Sequence, residues 1–345
     1  MLIYVAAEIV AGRPDAHAVI IDHPEWWLHD DNGVAIKGPW VNFTVPSFQD
    51  WFGDYVPGWY GAEVASLFDG LFVDAAGYQP AMYHRNHLFV KDPSKYNNLF
   101  LAKMAMLKKT QEKYAALNGG MVIGNQALGF WTATYDTWPD MDWRSNVGLF
   151  GGGSFVEWFG ALEMDNDGDG SWNIGQMERA FKGVIESSKA GYPVVLKAAP
   201  GPVHMRFERR CSTVPPSSCR TTNSTNYFHV LEWASAEKVA ESADGARADA
   251  QRQLTQTLAP FLIVVEPNVF FSYAWFYGLE DGYIPCPKDV ECGMPRTWFA
   301  EFSKPLGPPD RAAIQNGTVW TRTFRHASVY VDLANRSACK IDWQL

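Results

Sequence analysis

Residues 68–74 read FDGLFVD, a short apolar run that opens beside a glycine and ends in an aspartate. Apolar residues on both faces of such a run are typical of a strand buried in a parallel sheet. Comparable runs recur along the chain, and we predict strands at Leu2–Ala6, Gly70–Asp74, Met121–Asn125, Ser154–Glu157, Val194–Ala198 and Phe261–Val265. Amphipathic stretches between them predict helices at Lys95–Leu117, Ile174–Lys189 and Ala246–Leu258. This alternation indicates an α/β fold with a parallel sheet.

An eight-stranded (β/α)8 barrel of the TIM type is the architecture that this order predicts. Such a barrel needs about 250 residues, and the chain has 345. Because six strands are recognised, we expect that one or two are missed by the pattern or precede Met1. Near the end, residues 319–324 and 328–333 alternate between apolar and polar positions, which indicates an antiparallel hairpin. We therefore expect a barrel domain at 1–303 and a small antiparallel β appendage at 304–345, joined by the Pro-rich stretch 304–310.

The charge and hydropathy patterns exclude two classes of partner. The net charge is −9, and the basic residues form no cluster larger than the pair Arg209 and Arg210, so a nucleic-acid-binding surface is not expected. No apolar run reaches the roughly 18 residues that a membrane span needs. The expected partner is instead a carbohydrate, because aromatic rings that stack on sugar faces are abundant: 15 Trp, 14 Tyr and 21 Phe.

The cysteines and glycosylation sequons indicate an oxidising compartment. Cys211 with Cys219, and Cys286 with Cys292, are close in sequence within Pro-rich segments and are predicted to form disulfides, leaving Cys339 over. Free thiols in loops are the alternative for each pair. Sequons of the form N-x-S/T occur at Asn42, Asn223, Asn316 and Asn335. Together these features predict a secreted or extracellular glycoprotein.

The catalytic residues are expected where strands end, because active sites of parallel α/β barrels lie at the carboxyl ends of the strands. This rule selects the polar residues Glu8, Asp74, Asn125, Glu157 and Lys197. Two of them are carboxylates that follow buried runs, and glycoside hydrolysis requires such a pair. We assign Glu157 as the general acid and Asp74 as the nucleophile or base. A helix cap or an arginine partner is the alternative for Asp74, and a structural role is the alternative for Glu157.

The remaining candidate residues are assigned to the substrate. Residues expected to contact the sugar are Glu8, Tyr78, Asn125, Trp131, Trp158 and Lys197. Packing in the core or in loops is the alternative for most of the aromatic side chains.

Four segments of the first 74 residues resemble a known family. HPEWWL at 23–28, DNG at 31–33, NFTVP at 42–46 and FDGLFVD at 68–74 are similar to hypothetical glycosyl hydrolase-like proteins with a TIM-type barrel. The resemblance spans roughly residues 1 to 205, and residues 320–324 show a weaker similarity. It implies that the chain is a glycosidase and that Asp74 matches a catalytic carboxylate, with Glu157 as its partner.

An acidic segment at 165–170 matches the first half of a calcium-binding loop. Asp165, Asp167 and Asp169 supply oxygens at positions one, three and five, and a glycine stands at position six. Position twelve is Gln176, where a calmodulin-like site needs a bidentate glutamate. The segment therefore predicts either a structural calcium in a looser loop or an acidic turn that caps the next helix.

Two rival functions follow from the same fold. A metal-dependent hydrolase is disfavoured because the eight histidines are scattered and no pair has metal-ligand spacing. No cofactor is expected to be required. A non-catalytic carbohydrate-binding protein on a degenerate barrel is the other alternative to the glycosidase.

Overall fold

The structure of the chain is a computed structural model. It describes residues 2–6, 14–30, 32–35, 41–58, 63, 67–74, 76, 93–125, 146–156, 159–160, 172–198, 203–208, 228–233, 243–273 and 299–344. These residues divide between two compact units. The first unit comprises 1–157, 179–196 and 266–270, and the second comprises 158–178, 197–265 and 271–345. The predicted domain boundary at residue 304 stays a prediction.

The strands of the described residues fall into three sheets. They are β1 (Leu2–Ala6), β2 (Gly70–Asp74), β3 (Met121–Asn125), β4 (Gly153–Val156), β5 (Val194–Ala198), β6 (Val203–Glu208), β7 (Phe228–Trp233), β8 (Val269–Tyr273), β9 (Ile314–Asn316), β10 (Val319–Phe324), β11 (Ala327–Asp332) and β12 (Lys340–Trp343). The largest sheet has the order β1-β2-β3-β4-β5-β8. Its first five strands pair in parallel.

The helices alternate with these parallel strands. They are α1 (Pro14–Ile21), α2 (Pro46–Gly58), α3 (Pro93–Asn118), α4 (Asn146–Phe150), α5 (Ile174–Lys189) and α6 (Ala243–Val264), with short 3-10 turns at Pro24–Trp26, Ala300–Ser303 and Arg336–Ala338. In chain order, α3, α4 and α5 connect β2 to β3, β3 to β4 and β4 to β5. The predicted α/β order of parallel strands and helices is therefore confirmed, while closure of the sheet into a barrel stays a prediction.

Helix α3 is fixed to its neighbours by polar side chains. Gln111 accepts a hydrogen bond from the Val122 N–H at 2.6 Å and donates to the Gly120 carbonyl at 3.2 Å. On the solvent side, Lys109 pairs with Asp50 of α2 at 2.7 Å, and the Lys109 ammonium lowers the pKa of the Asp50 carboxyl. Because exposed ion pairs contribute little, the half-buried hydrogen bonds of Gln111 matter more for placing α3 beside β3.

One predicted strand was wrong. Phe261–Val265 lies almost wholly within α6, and the strand follows it at β8. The buried residues Leu254, Leu258 and Leu262 recur every four positions, which is the period of a helix stripe. The last turn is buried on several sides, so its polar face is missing and its local sequence is typical of a strand. The antiparallel pair β6 and β7 was not predicted.

The C-terminal antiparallel sheet is confirmed. Its order is β12-β11-β10-β9, and the turn at residues 325–326 joins β10 to β11 with Phe324 opposite Ala327. Arg322 of β10 is only 3% exposed. Its guanidinium donates to the carbonyls of Ile263 at 2.9 Å and Val265 at 2.7 Å. A buried cation thus satisfies carbonyls at the end of α6, where the helix dipole also favours positive charge.

Glycine at position 70 allows β2 to approach β3. A Cβ atom there would lie 1.8 Å from the Met121 carbonyl oxygen, and the residue has φ of 155°. Any side chain at this position therefore collides with the backbone of the neighbouring strand.

Replacing Gly70 by alanine should lower the free energy of unfolding by more than about 2 kcal/mol, because the strands must separate to admit the methyl group. Urea unfolding followed by circular dichroism measures the change. Gly148→Ala is the matched control: Gly148 lies in α4 and the new Cβ would meet only the Tyr192 ring, at 3.8 Å. That variant should be neutral or up to about 1 kcal/mol more stable. Equal stability of the two variants would contradict this account of Gly70.

Replacing Arg322 by methionine should cost about 2–4 kcal/mol, because two buried carbonyls at the end of α6 lose their donor. Urea unfolding again measures the loss. Arg325 is exposed on the adjoining turn, so Arg325→Met should change stability by no more than about 0.5 kcal/mol. A tolerated Arg322→Met would show that the buried guanidinium does not hold α6.

Candidate active site

Two faces of the parallel sheet differ in burial. On β2, Leu71 and Val73 have no exposed surface, whereas Phe72 and Asp74 are half-buried. Side chains on neighbouring parallel strands that pair in register point to the same face. Phe72 pairs with Ile123 of β3, which is also half-buried. Asp74 therefore lies on the more accessible face of the sheet, at the carboxyl end of its strand.

Asp74 and Asn125 meet at that end of the sheet. The Asn125 amide nitrogen donates to Oδ1 of Asp74 at 2.8 Å, and Asn125 is 3% exposed. Because an ionised carboxylate only accepts hydrogen bonds, the amide holds it in a fixed orientation as an acceptor. On the same face, the ring of Phe72, two residues before Asp74, contacts the ring of Phe155, the register partner of Asn125, edge to face at 5.2 Å between centroids. A positioned carboxylate beside aromatic rings can serve as a base or a nucleophile.

Lys197 lies near the end of β5, as predicted, and is half-buried. Its backbone carbonyl accepts a hydrogen bond from the Phe159 N–H at 2.7 Å. Phe159 is fully buried, and the next residue, Gly160, accepts a hydrogen bond from the Trp172 indole at 2.8 Å. These contacts, all within the second unit, anchor the chain two residues after Glu157.

The structure thus brings two of the predicted site residues together, Asp74 and Asn125, and places Lys197 at a strand end. The other predicted residues lie outside the described part of the chain: Glu8, Tyr78, Trp131, Glu157, Trp158, Asp165, Asp167 and Asp169. The predicted disulfides, Cys211 with Cys219 and Cys286 with Cys292, also lie outside it. All of these assignments stay predictions.

The described residues include no group of three or more His, Cys, Asp or Glu side chains that could hold a metal ion. This finding does not test the predicted calcium site, because residues 165–170 lie outside the described part of the chain. No helix of the described ranges is long and apolar enough to cross a membrane.

Cys339 is a buried free cysteine, and burial raises the pKa of its thiol to about 11. Its thiol therefore stays protonated at neutral pH, which disfavours a nucleophilic role.

Sequence reasoning missed one concave surface in the second unit. A pocket of about 390 Å³ lies between α6, β8, the turn at 300–303 and β12. Its walls include Phe261, from the segment whose pattern predicts a strand, and Lys304, from the segment whose pattern predicts a linker. The clustering of aromatic residues in these segments is the only sequence signal that indicates the pocket.

The fold and the site together define an α/β protein with a hydrogen-bonded carboxylate at the end of a parallel strand. The chain belongs to hypothetical glycosyl hydrolase family 15, whose family model matches residues 6–328. A search of curated proteins found no match. Among solved structures, the chain is similar to a thermostable mutant of a xylanase, Xyn10A, from Cellvibrio japonicus. The two share 12% sequence identity with a TM-score of 0.37, over 76% of this chain and 69% of that chain.

Replacing Asn125 by aspartate should destabilise the protein in a pH-dependent way. The variant sets a second carboxylate against Oδ1 of Asp74, and two such charges repel each other. At pH 7 we expect the free energy of unfolding to fall by about 2 kcal/mol or more. At pH 4 the deficit should shrink, because the pair can retain a proton. Urea unfolding at both pH values measures it, with Asn125→Ala as the uncharged control. A deficit that is the same at both pH values would contradict the observed contact.

Proposed function

We propose that this protein is a glycoside hydrolase in which Asp74 and Glu157 act as the carboxylate pair. The observation that carries the proposal is the position of Asp74: it ends a parallel strand, faces the accessible side of the sheet and is oriented by Asn125. Membership of a hypothetical glycosyl hydrolase family supports the same class of reaction. The proposed substrate is an oligosaccharide or polysaccharide.

Strand order supports the pairing of the two carboxylates. Strand β3 separates β2 from β4, and Glu157 follows the last residue of β4 in the sequence. Two strand spacings of about 4.8 Å place the ends of β2 and β4 about 10 Å apart. The pair that we propose requires carboxyl groups about 5–5.5 Å apart for retention or about 6.5–9.5 Å apart for inversion.

The hydrogen bond from Asn125 supports the division of roles. Because the amide donates to Asp74, that carboxylate is held as an acceptor, which suits a nucleophile or a base. Glu157 is then the general acid that protonates the leaving oxygen. The sugar would lie against the face that carries Phe72 and Phe155, where aromatic rings can contact its apolar C–H groups.

We also propose that the protein is secreted and glycosylated. Two of its sequon asparagines, Asn316 and Asn335, are exposed on the C-terminal sheet and its adjoining turn. An exposed asparagine is what attachment of a glycan requires.

Two variants separate the proposed roles by their response to the leaving group. Asp74→Asn should lower kcat/KM about a thousandfold or more on both oligosaccharides and 4-nitrophenyl glycosides, because the attacking charge is lost for every substrate. Glu157→Gln should lower it comparably on oligosaccharides but much less on 4-nitrophenyl glycosides, whose leaving group departs without protonation. A panel of polysaccharides and 4-nitrophenyl glycosides is screened first with the wild-type protein.

The matched control is Asp69→Asn, because Asp69 is exposed at the opposite end of β2. It should retain wild-type rates. Wild-type rates in both Asp74→Asn and Glu157→Gln would overturn the assignment. Retained glycan binding without hydrolysis by any form, wild type included, would establish the non-catalytic carbohydrate-binding protein instead.

A further inference from the structure

The pocket in the second unit is built from segments that are distant in sequence. Its lining residues are Leu258, Phe261, Leu262, Phe271, Ser272, Tyr273, Glu301, Phe302, Lys304, Leu306 and Trp343. Its volume of about 390 Å³ falls within the range of about 300–1,000 Å³ that is usual for small-molecule sites. All of these residues belong to the second unit, whereas Asp74 and Asn125 belong to the first. The pocket is therefore not formed by the residues of the candidate active site.

Five of the eleven lining residues are aromatic, and four of their rings contact one another. Phe271 stacks on Phe261 at 4.7 Å between centroids and meets Phe302 edge to face at 6.1 Å. Tyr273 is buried and stacks on Phe271 at 6.1 Å between centroids, and its hydroxyl donates to the Ala250 carbonyl at 2.9 Å. The rings of Phe261, Phe271 and Phe302 nevertheless remain half-buried. They therefore offer preformed apolar surface to a ligand without needing to rearrange.

Polar groups interrupt this apolar lining. Glu301 accepts a hydrogen bond from Gln251 through Oε1 at 3.0 Å. Its other oxygen, Oε2, is buried, and no donor of the described residues hydrogen-bonds to it. The Lys304 ammonium lies 5.0 Å from the centre of the Trp343 ring. Glu301 and Lys304 are thus the charged residues of the lining, whereas Oε2 itself has no accessible surface for a ligand to contact.

We propose that this pocket binds a neutral saccharide unit, as a second carbohydrate site separate from Asp74. A sugar ring presents C–H groups to the aromatic walls and hydroxyl groups at its edge. One hydroxyl donates to the Glu301 carboxylate through Oε1, and another accepts from the Lys304 ammonium.

Other ligand classes fit this set of groups less well. A purely apolar ligand leaves the Glu301 carboxylate and the Lys304 ammonium facing apolar surface. An anion is attracted by Lys304 but repelled by Glu301, and the reverse holds for an organic cation, so the two opposite charges favour neither sign of ligand. A neutral polyol with an apolar face satisfies the carboxylate, the ammonium and the rings together. Saccharide binding in this pocket does not require hydrolysis at Asp74. An experiment can therefore contradict one of these two proposals and leave the other standing.

The test measures saccharide binding in an Asp74→Asn background, which limits consumption of the probe. Cello-, xylo-, manno-, malto- and chitohexaose are screened by saturation-transfer NMR, and any binder is titrated by tryptophan fluorescence and calorimetry. The variants Trp343→Ala, Glu301→Gln and Lys304→Met remove the ring, the charge or the ammonium in turn. Phe270→Ala is the matched control, because Phe270 is 53% exposed on the same strand, adjacent to Phe271 but absent from the lining.

We expect one hexaose to bind with Kd in the millimolar range or below. Trp343→Ala should weaken that binding about tenfold or more, Glu301→Gln and Lys304→Met should each weaken it several-fold, and Phe270→Ala should leave it unchanged. Thermal unfolding checks that each variant is folded. If Trp343→Ala does not fold, the affinities of Glu301→Gln and Lys304→Met test the proposal without it. The proposal is overturned if no hexaose binds, or if Glu301→Gln and Lys304→Met bind as tightly as Phe270→Ala.

Discussion

The parallel register of β2 against β3 is the constraint on which the candidate site depends. Val73 pairs with Gly124, so Asp74 and Asn125 end their strands at one level and can share a hydrogen bond. Side chains alternate between faces with a period of two, and a slip of one residue would turn one of them toward the buried face. Glycines allow the strands on both sides of β3 to approach it: a Cβ at Gly70 of β2 would collide with Met121, and one at Gly152, just before β4, would lie 2.2 Å from the Val122 carbonyl oxygen.

In the second unit, the aromatic pocket depends on the position of helix α6. Its terminal carbonyls are held by Arg322 of β10, and its residues Leu258, Phe261 and Leu262 form one wall of the aromatic pocket. The C-terminal sheet therefore does more than extend the chain: β10 fixes the end of α6, and β12 contributes Trp343 to the pocket. Because the helix is held at its end, the rings that line the pocket are held in a fixed arrangement, which the proposed saccharide site requires.

Much of the parallel sheet could be predicted because its strands are apolar on both faces and short, so β1, β2, β3 and β5 were bounded correctly. The rule that polar residues collect at strand ends also found Asp74 and Asn125. Their hydrogen bond depends on register, which no local pattern contains. The end of α6 was mistaken for a strand because it is buried and lacks a polar face. The pocket escaped prediction because its walls come from segments separated by up to about 85 residues, which only the fold brings together.

The central claim is that the Asp74 carboxylate attacks the sugar or activates water at the end of β2. Chemical rescue tests it most directly: Asp74→Gly removes the carboxylate and leaves room for a small anion, and turnover of a 4-nitrophenyl glycoside is measured with and without sodium azide. The account predicts a loss of about a thousandfold or more, with activity restored as azide is added and a glycosyl azide formed as product. Wild-type turnover by Asp74→Gly in the absence of azide would contradict it, because the carboxylate would then take no part in the reaction.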